Sequence, residues 1–351
     1  MVKTRQWVIA KRAVGMPVLE GPNATFRLVT KEIGSPEDGQ LLVKTMYFSN
    51  DPSTRGWIGA GKEAERLYVP RLAEGSPIPC HSLARVVESR VDEFAEGELV
   101  CAWTGWSEYA IVPKERCTKA PPLPGGLSQT HYLGALGYPA LTAYVGLYQI
   151  ARATAEDIIV VSAAAGATGS MAVQLAKKVV GCQRVIGIAG TEAKCRWVEG
   201  LGADICLNYN SPTFADDLVA ATPDFVNVYY DNVGGEILDL MLPRMARYGR
   251  VVACGAIANY NKMGEAKVGM KNYFEIVNMR VRLEGFTVRD YAPQFEDILR
   301  TLKEELARGN LKIDEELEQV VPATFEEVPK TWMVLFSGGN QGKLITELRD
   351  G

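Results

Sequence analysis

Histidine is nearly absent from this chain: His81 and His131 are the two in 351 residues. Cysteine is scattered, with seven residues at 80, 101, 117, 182, 195, 206 and 254 and no Cys-x-x-Cys spacing. A structural zinc site draws on closely spaced Cys and His ligands and a disulfide framework on an even set, so neither is indicated. The odd set reads as the reduced thiols of a cytosolic protein. Long apolar runs are missing too. The most apolar segment, around Ile158 to Ala167, falls short of the ~20 residues a bilayer span needs. Arg5, Lys11 and Arg12 interrupt the N-terminal MVKTRQWVIAKRA, so no signal peptide is expected. Nor is there a basic block: 38 Lys and Arg against 42 Asp and Glu leave a net charge of −4. Nucleic acid and membrane are thereby disfavoured as partners, since phosphate contacts need clustered cations.

What is present is ordinary for a globular protein, 47% hydrophobic and 23% charged, and long enough for two domains with separate cores. The first third reads as β-rich, with runs such as Gln40 to Phe48 and Leu83 to Ser89 between Gly and Pro punctuation. APPLPGG at Ala120 to Gly126 is the strongest breaker cluster and marks the approach to a boundary. Beyond it the rhythm changes. The strand DIIVVS (Asp157 to Ser162) is a continuous apolar run, as in a parallel sheet buried on both faces. A helix follows over Gly169 to Val180, then strands at Arg184 to Ala189, Ile205 to Asn208, Phe225 to Tyr230, Arg250 to Gly255 and Arg282 to Val288. Helices Thr191 to Glu199, Phe214 to Ala220, Glu236 to Ala246 and Pro293 to Arg308 separate or follow them. Six strands with helical crossovers predict an α/β fold, a Rossmann doubly wound parallel sheet, over 131–308. Residues 1–130 and 309–351 are expected to form a second, β-rich domain, the C-terminal stretch returning to the N-terminal one. The charge run from Lys303 to Glu318 reads as a solvated helix face.

The first strand of the sheet runs into SAAAGATGSMAVQLAKK. Gly166 and Gly169 hold the second and third positions of a G-x-G-x-x-G dinucleotide fingerprint, and Ala164 the first. The middle glycine lets the backbone approach a pyrophosphate and the last lets the helix pack on the strand. The turn Ala165, Gly166, Ala167, Thr168 and Gly169 is therefore the expected pyrophosphate seat, facing the positive end of the helix dipole. The imperfect motif alone is weak; a buried strand before it and further βα units after it raise it above an ordinary strand-to-helix turn. NAD binders place Asp or Glu at the end of the second strand. Here that tip reads Ile188, Ala189, Gly190, Thr191, with Glu192 past the turn and expected to point to solvent. Lys194 lies where it would meet a 2′-phosphate, although a solvated helix lysine is the commoner fate. NADP(H) is the favoured cofactor.

Seven stretches together resemble one family. They are YFSNDPSTRG (Tyr47 to Gly56), GYPALTAYVGL (Gly137 to Leu147), AAAGATGSMAVQLAK (Ala163 to Lys177), YYDNVGGE (Tyr229 to Glu236), CGAIANYN (Cys254 to Asn261), RLEGF (Arg282 to Phe286) and GGNQGKLI (Gly338 to Ile345). In this order they resemble the zinc-independent medium-chain dehydrogenase/reductases, in the alkenal double-bond reductase and prostaglandin reductase group. The resemblance implies a GroES-like catalytic domain beside the Rossmann domain, NADPH in the cleft between them, and a homodimer. It implies that Lys194 and Tyr209 hold the 2′-phosphate and that Asn232 lines the adenosine-to-ribose channel. Cys254, Gly255, Ala256 and the residues to Tyr260 would run under the nicotinamide ribose, with Phe286 and Asn340 closing over the nicotinamide. Two departures stand near the expected substrate side. Ser53 and Thr54 replace an aromatic residue and Met between Pro52 and Arg55, and Gly-Met-Pro-Gly has become Gly137, Tyr138, Pro139 and Ala140.

Reduction of an α,β-unsaturated carbonyl needs hydride delivery to the β-carbon and a donor for the enolate oxygen. The cofactor carries the hydride and the protein supplies position and the donor. A tyrosine, with a pKa of ~10, stays protonated at neutral pH. Tyr260 is the expected catalytic donor, with the ribose hydroxyl, and Tyr47 the substrate-binding residue. Trp103, Trp106 and Tyr109 read equally as a pocket wall or as core, and Cys80-His81 as a partly buried loop pair rather than a metal site. The expected substrate is a small enal or enone. Carbonyl or quinone reduction, alcohol oxidation, an ene-reductase for a larger metabolite and a non-catalytic NADPH sensor are the alternatives.

Overall fold

The structure, a computed structural model, describes residues 1–60, 72–262 and 269–349. The chain forms two compact units, Met1–Leu133 with Glu318–Gly351, and Gly134–Leu317. Among the described residues no helix is long and apolar enough to cross a membrane.

The first unit begins with β1 (Val2–Ile9), β2 (Phe26–Ile33), β3 (Gln40–Ser49), the short helix α1 (Thr54–Ile58), β4 (His81–Ser89), β5 (Leu99–Trp103), β6 (Tyr109–Pro113) and β7 (Cys117–Lys119). The second contains α2 (Tyr138–Val145), β8 (Ile158–Val161), α3 (Ala167–Gln174), β9 (Arg184–Ala189), α4 (Glu192–Leu201), β10 (Ile205–Asn208), α5 (Phe214–Ala221) and β11 (Val226–Asp231). It continues with α6 (Gly235–Met241), β12 (Met245–Ala253), α7 (Phe274–Met279), β13 (Arg282–Gly285) and α8 (Phe295–Ala307). The chain then returns to the first unit with β14 (Glu318–Ala323), α9 (Val328–Met333) and β15 (Lys343–Leu348).

In the first unit β15 pairs antiparallel with β3, setting Glu347 opposite Tyr47 and Ile345 opposite Ser49. The sheet runs β14-β15-β3-β4-β5-β7, with β6 also on β3. Phe48, Trp106, Phe325 and Trp332 fill one core beside it, and Leu41, Val43, Ala84 and Val100 another.

In the second unit all five strand pairs are parallel and the order is β10-β9-β8-β11-β12-β13. Every residue of β8 is buried, because helices cover both faces of such a sheet. Burial of each Val or Ile there contributes about 1.5–3 kcal/mol. Several elements differ from the sequence expectation, and residues 303–318 are not one solvated helix face, since α8 ends at Ala307 with Glu305 buried and β14 begins at Glu318, whose side chain is buried. The helix expected to reach Ala246 tightens to a 3-10 turn at Leu242–Arg244, where Pro243 cannot supply the backbone donor, and β12 starts at Met245. β13 stops at Gly285, so Phe286 leaves the sheet. The helix expected over 169–180 starts at Ala167 and ends in a wider π-type segment, Leu175–Val180.

Candidate functional site

In the second unit the expected site residues all lie at or just beyond the carboxyl ends of the parallel strands. The strand order reverses between β8 and β11, and open α/β sheets bind ligands at that crevice. The turn after β8 is built by contact. Ala163 takes φ +47°, and a Cβ on Gly169 would lie 2.2 Å from its carbonyl oxygen, so that position admits glycine alone. At Gly166 a Cβ would meet the same oxygen at 3.2 Å and nothing else within 4 Å, which leaves its backbone approachable. Ala164 replaces the first fingerprint glycine because Gly187 of β9 makes room: a Cβ there would lie 3.2 Å from that of Ala164 and 2.7 Å from Val198 Cγ1. Ala165 is buried, and Gly166 caps α3 without a side-chain hydrogen bond, so Ala167, Thr168 and Gly169 present the first-turn amides.

At the next strand tips, Thr191 caps α4 by accepting the Lys194 amide at 3.2 Å. Lys194 is half-buried, and burial lowers the pKa of its ammonium. The Tyr209 amide donates to Ala189 O at 2.9 Å, and its ring passes so close to Gly190 that a Cβ there would meet the hydroxyl at 2.9 Å. Glu192 does not simply point to solvent: its Oε1 accepts from Asn208 Nδ2 at 2.9 Å. These residues suit a 2′-phosphorylated cofactor, with a cation, a hydroxyl and no acid at the β9 tip.

Beyond β11 the hub is Asp231, buried, whose Oδ1 accepts from Tyr229 Oη (2.9 Å), Gly234 N (2.8 Å), Val233 N (3.0 Å) and Ser162 Oγ (3.3 Å). Burial raises its pKa and these hydrogen bonds pull it back. Asn232 donates from its amide to Ser162 Oγ (2.9 Å) and from Nδ2 to Ser162 O (2.8 Å), tying it to the end of β8. Cys254 and Gly255 both donate from N to Asp231 O, at 2.9 and 3.0 Å. Burial pushes the Cys254 thiol up to about 12. The Tyr260 hydroxyl oxygen accepts the Ala256 amide at 3.4 Å and sits 3.5 Å from the position a Cβ on Gly255 would take. The phosphate turn, Asn232, Cys254 to Ala256 and Tyr260 are thus joined into one network. Phe286 is half-buried in the segment after β13.

In the first unit the Tyr47 hydroxyl donates to Glu347 Oε1 at 3.2 Å, and burial, then the Glu347 charge, raises its pKa. Asn340 lies in the turn before β15 and donates to Gly342 O at 3.2 Å. Close by, the buried Lys343 ammonium donates to Asp51 Oδ1 (2.6 Å) and Asn50 O (3.0 Å), and Ser49 Oγ to Asp51 Oδ2 (2.6 Å). Cys80 is buried, with its thiol pushed up to about 12, and donates to Ser49 O at 3.2 Å. His81 opens strand β4 rather than lying in a loop, and burial lowers it to about 4. Arg55 is buried and donates to Gly15 O at 2.6 Å, anchoring α1. Trp106 belongs to the core, whereas Trp103 lies against His81 at 5.3 Å between ring centroids.

Residues 5–120 match the family model described as N-terminal domain of oxidoreductase, and residues 167–304 the one described as zinc-binding dehydrogenase. NADPH-dependent curcumin reductase of Escherichia coli K12 is 33% identical over 98% of this chain and 96% of its own length. The NADP(+)-dependent 2-alkenal reductase of Nicotiana tabacum is 35% identical over 98% and 97%, and prostaglandin reductase 1 of Mus musculus 32% over 99% and 100%. The crystal structure of CurA in complex with NADPH from Vibrio vulnificus superposes with a TM-score of 0.87 at 31% identity, covering 99% of this chain and 100% of that one. The chain belongs to the zinc-independent medium-chain dehydrogenase/reductases, in the alkenal and prostaglandin reductase group.

Among the described residues, the zinc in the second model's description finds no ligand set. Residues 167–304 contain no histidine, and among the described residues no group of three His, Cys, Asp or Glu is placed to hold a metal. One departure of this reductase from its relatives also changes meaning. Ala140 is wholly buried within α2, so it shapes the core rather than a substrate wall. Sequence reasoning missed Asp231, Gly187, the Asn208–Glu192 bond and the Lys343–Asp51 pair. Asp231 and Lys343 stood inside quoted motifs, and a charged residue within an apolar strand context was the available signal.

Proposed function

We propose that this chain delivers hydride from NADPH to the β-carbon of α,β-unsaturated aldehydes and ketones, with Tyr260 donating to the developing enolate oxygen. The chain is an NADP-dependent oxidoreductase of the C=C class, and NADP(H) is its cofactor. When bound, NADPH supplies the hydride. The work assigned to the chain's own residues is seating and donation. Ala165 to Gly169 would seat the pyrophosphate, Lys194 and Tyr209 the 2′-phosphate, and Asn232, Cys254, Gly255, Ala256, Phe286 and Asn340 the ribose and nicotinamide, with Tyr47 at the substrate. The homodimer implied by the family is part of the proposal, and light scattering tests it.

The observation that carries the catalytic assignment is the Ala256 amide donating to the Tyr260 phenol oxygen at 3.4 Å. A hydrogen bond accepted at that oxygen polarises the O–H toward donation, since chained hydrogen bonds reinforce one another. Loss of a comparable oxyanion donor costs about 10²–10³ in kcat. Tyr260→Phe should therefore lower kcat for enone reduction by about 100-fold with the NADPH dissociation constant nearly unchanged. Cofactor absorbance with product analysis checks both the rate and the bond reduced. Turnover confined to quinones or simple ketones would replace the substrate assignment, and an unchanged kcat would remove Tyr260 from the chemistry.

A further inference from the structure

A closed run of hydrogen bonds ties the tips of β9 and β10. Asn208, the last residue of β10, donates from Nδ2 to Glu192 Oε1 at 2.9 Å and accepts the Asn210 amide on Oδ1 at 3.0 Å. Asn210 donates from Nδ2 to Gly190 O at 2.8 Å. Tyr209 stands between the two asparagines, and Lys194 follows Glu192 by two residues on α4. The run therefore brackets Tyr209 and ends two residues short of Lys194, the two residues assigned to the 2′-phosphate. It also holds the one carboxylate in the stretch from Ile188 to Lys194.

Glu192 occupies the first turn of α4, and the direction of its carboxylate is what matters. Turned toward the adenosine ribose, a carboxylate there would repel a 2′-phosphate and accept from a free 2′-hydroxyl, and both effects favour NADH. Asparagine is suited to prevent this, because it can donate to the carboxylate while adding no charge.

We infer that Asn208 is a positioning residue for cofactor choice: by holding the Glu192 carboxylate at the β10 tip, it keeps that charge off the 2′-phosphate and so sets the preference for NADPH over NADH. The inference rests on the assignment of Lys194 and Tyr209 to the 2′-phosphate. Glu192 and Asn208 are both solvent-accessible, so the tie biases the carboxylate rather than locking it. Two exposed unit charges a few ångströms apart change an equilibrium by roughly five- to tenfold.

The test is fluorescence titration of NADPH and NADH on the full chain, giving the ratio of their dissociation constants. Asn208→Ala should reduce the NADPH preference roughly five- to tenfold, mainly through weaker NADPH binding. Glu192→Gln in the same chain should restore the ratio. If the double variant stays as low as Asn208→Ala, Asn208 acts by shaping the Tyr209 turn and the inference is overturned. Lys194→Ala separates the layers. If it lowers the NADPH preference while Asn208→Ala does not, this inference alone fails. If Lys194→Ala leaves the ratio unchanged, the 2′-phosphate assignment falls and takes the inference with it.

Discussion

A methyl group on Gly169 would stand 2.2 Å from the Ala163 carbonyl oxygen, and one on Gly166 would stand 3.2 Å from the same atom. The two glycines of one fingerprint thus serve different ends, the first packing and the second access. Gly169→Ala forces backbone to move and should cost about 3 kcal/mol, the upper end for overpacking, read by urea denaturation. Gly166→Ala sits at φ −88°, open to any residue, so it should change stability by less than about 1 kcal/mol. It should nonetheless weaken NADPH binding at least about tenfold, because the added carbon stands where the pyrophosphate approaches. Equal losses of stability in the two variants would contradict this division. The fingerprint was legible because glycine spacing is local. Gly187, which lets Ala164 stand at the first position, was not, because its neighbours Val198 and Cys206 come from other elements. Asp231 was hidden for a similar reason: four donors from three segments converge on it.

At the scale of elements, the ends of β3, β4 and β15 share one polar cluster. The Lys343 side chain is 3% exposed and the Asp51 side chain 32%. Lys343→Met would leave Asp51 and Asn50 O without their donor. Breaking a fully buried pair costs about 3–5 kcal/mol, and the partial exposure of Asp51 reduces the expected loss to about 2–3 kcal/mol, measured by urea denaturation. The same cluster predicts a pH dependence. His81 is lowered to about 4, chiefly by burial, against an ordinary value of ~6.5. In that window the unfolded chain binds a proton that the folded chain does not, so stability falls as pH drops from about 6.5 toward 4. Asp51 is lowered by Lys343, Ser49 and His81 despite its burial, and extends the loss to lower pH. Tm read against pH should show the slope in the wild type and its flattening above pH 4 in His81→Gln; an equal slope in both would assign the effect elsewhere. Strand periodicity had made β9 and β10 legible to the residue, since each is a short apolar run between clear breaks. β12 was less so, because its first residues, Met245 to Gly249, mix charge and glycine after a proline turn.

At the scale of the whole molecule, the alternation of strands and helices that runs through the second unit is why its parallel sheet could be read without coordinates. Each crossover between parallel strands must carry a helix back over a face, so the order of elements restricts the topology to a few choices. The expectation that no metal is needed has the same breadth. It rests on the scarcity of histidine across the chain, and it can be tested without touching a residue. A ligand that binds the folded state alone stabilises it by about 2.7 kcal/mol when present at 100 times its dissociation constant. NADPH at such excess should raise Tm by several degrees, and NADH at the same concentration by less. EDTA dialysis should change neither the free Tm, the NADPH shift nor the turnover of an enone. A drop in Tm on chelation, reversed by zinc, would mean that a metal contributes to folding, because the binding energy of a structural metal is folding energy. An unchanged Tm with lost turnover would instead place a metal in the chemistry and displace Tyr260 as the principal donor.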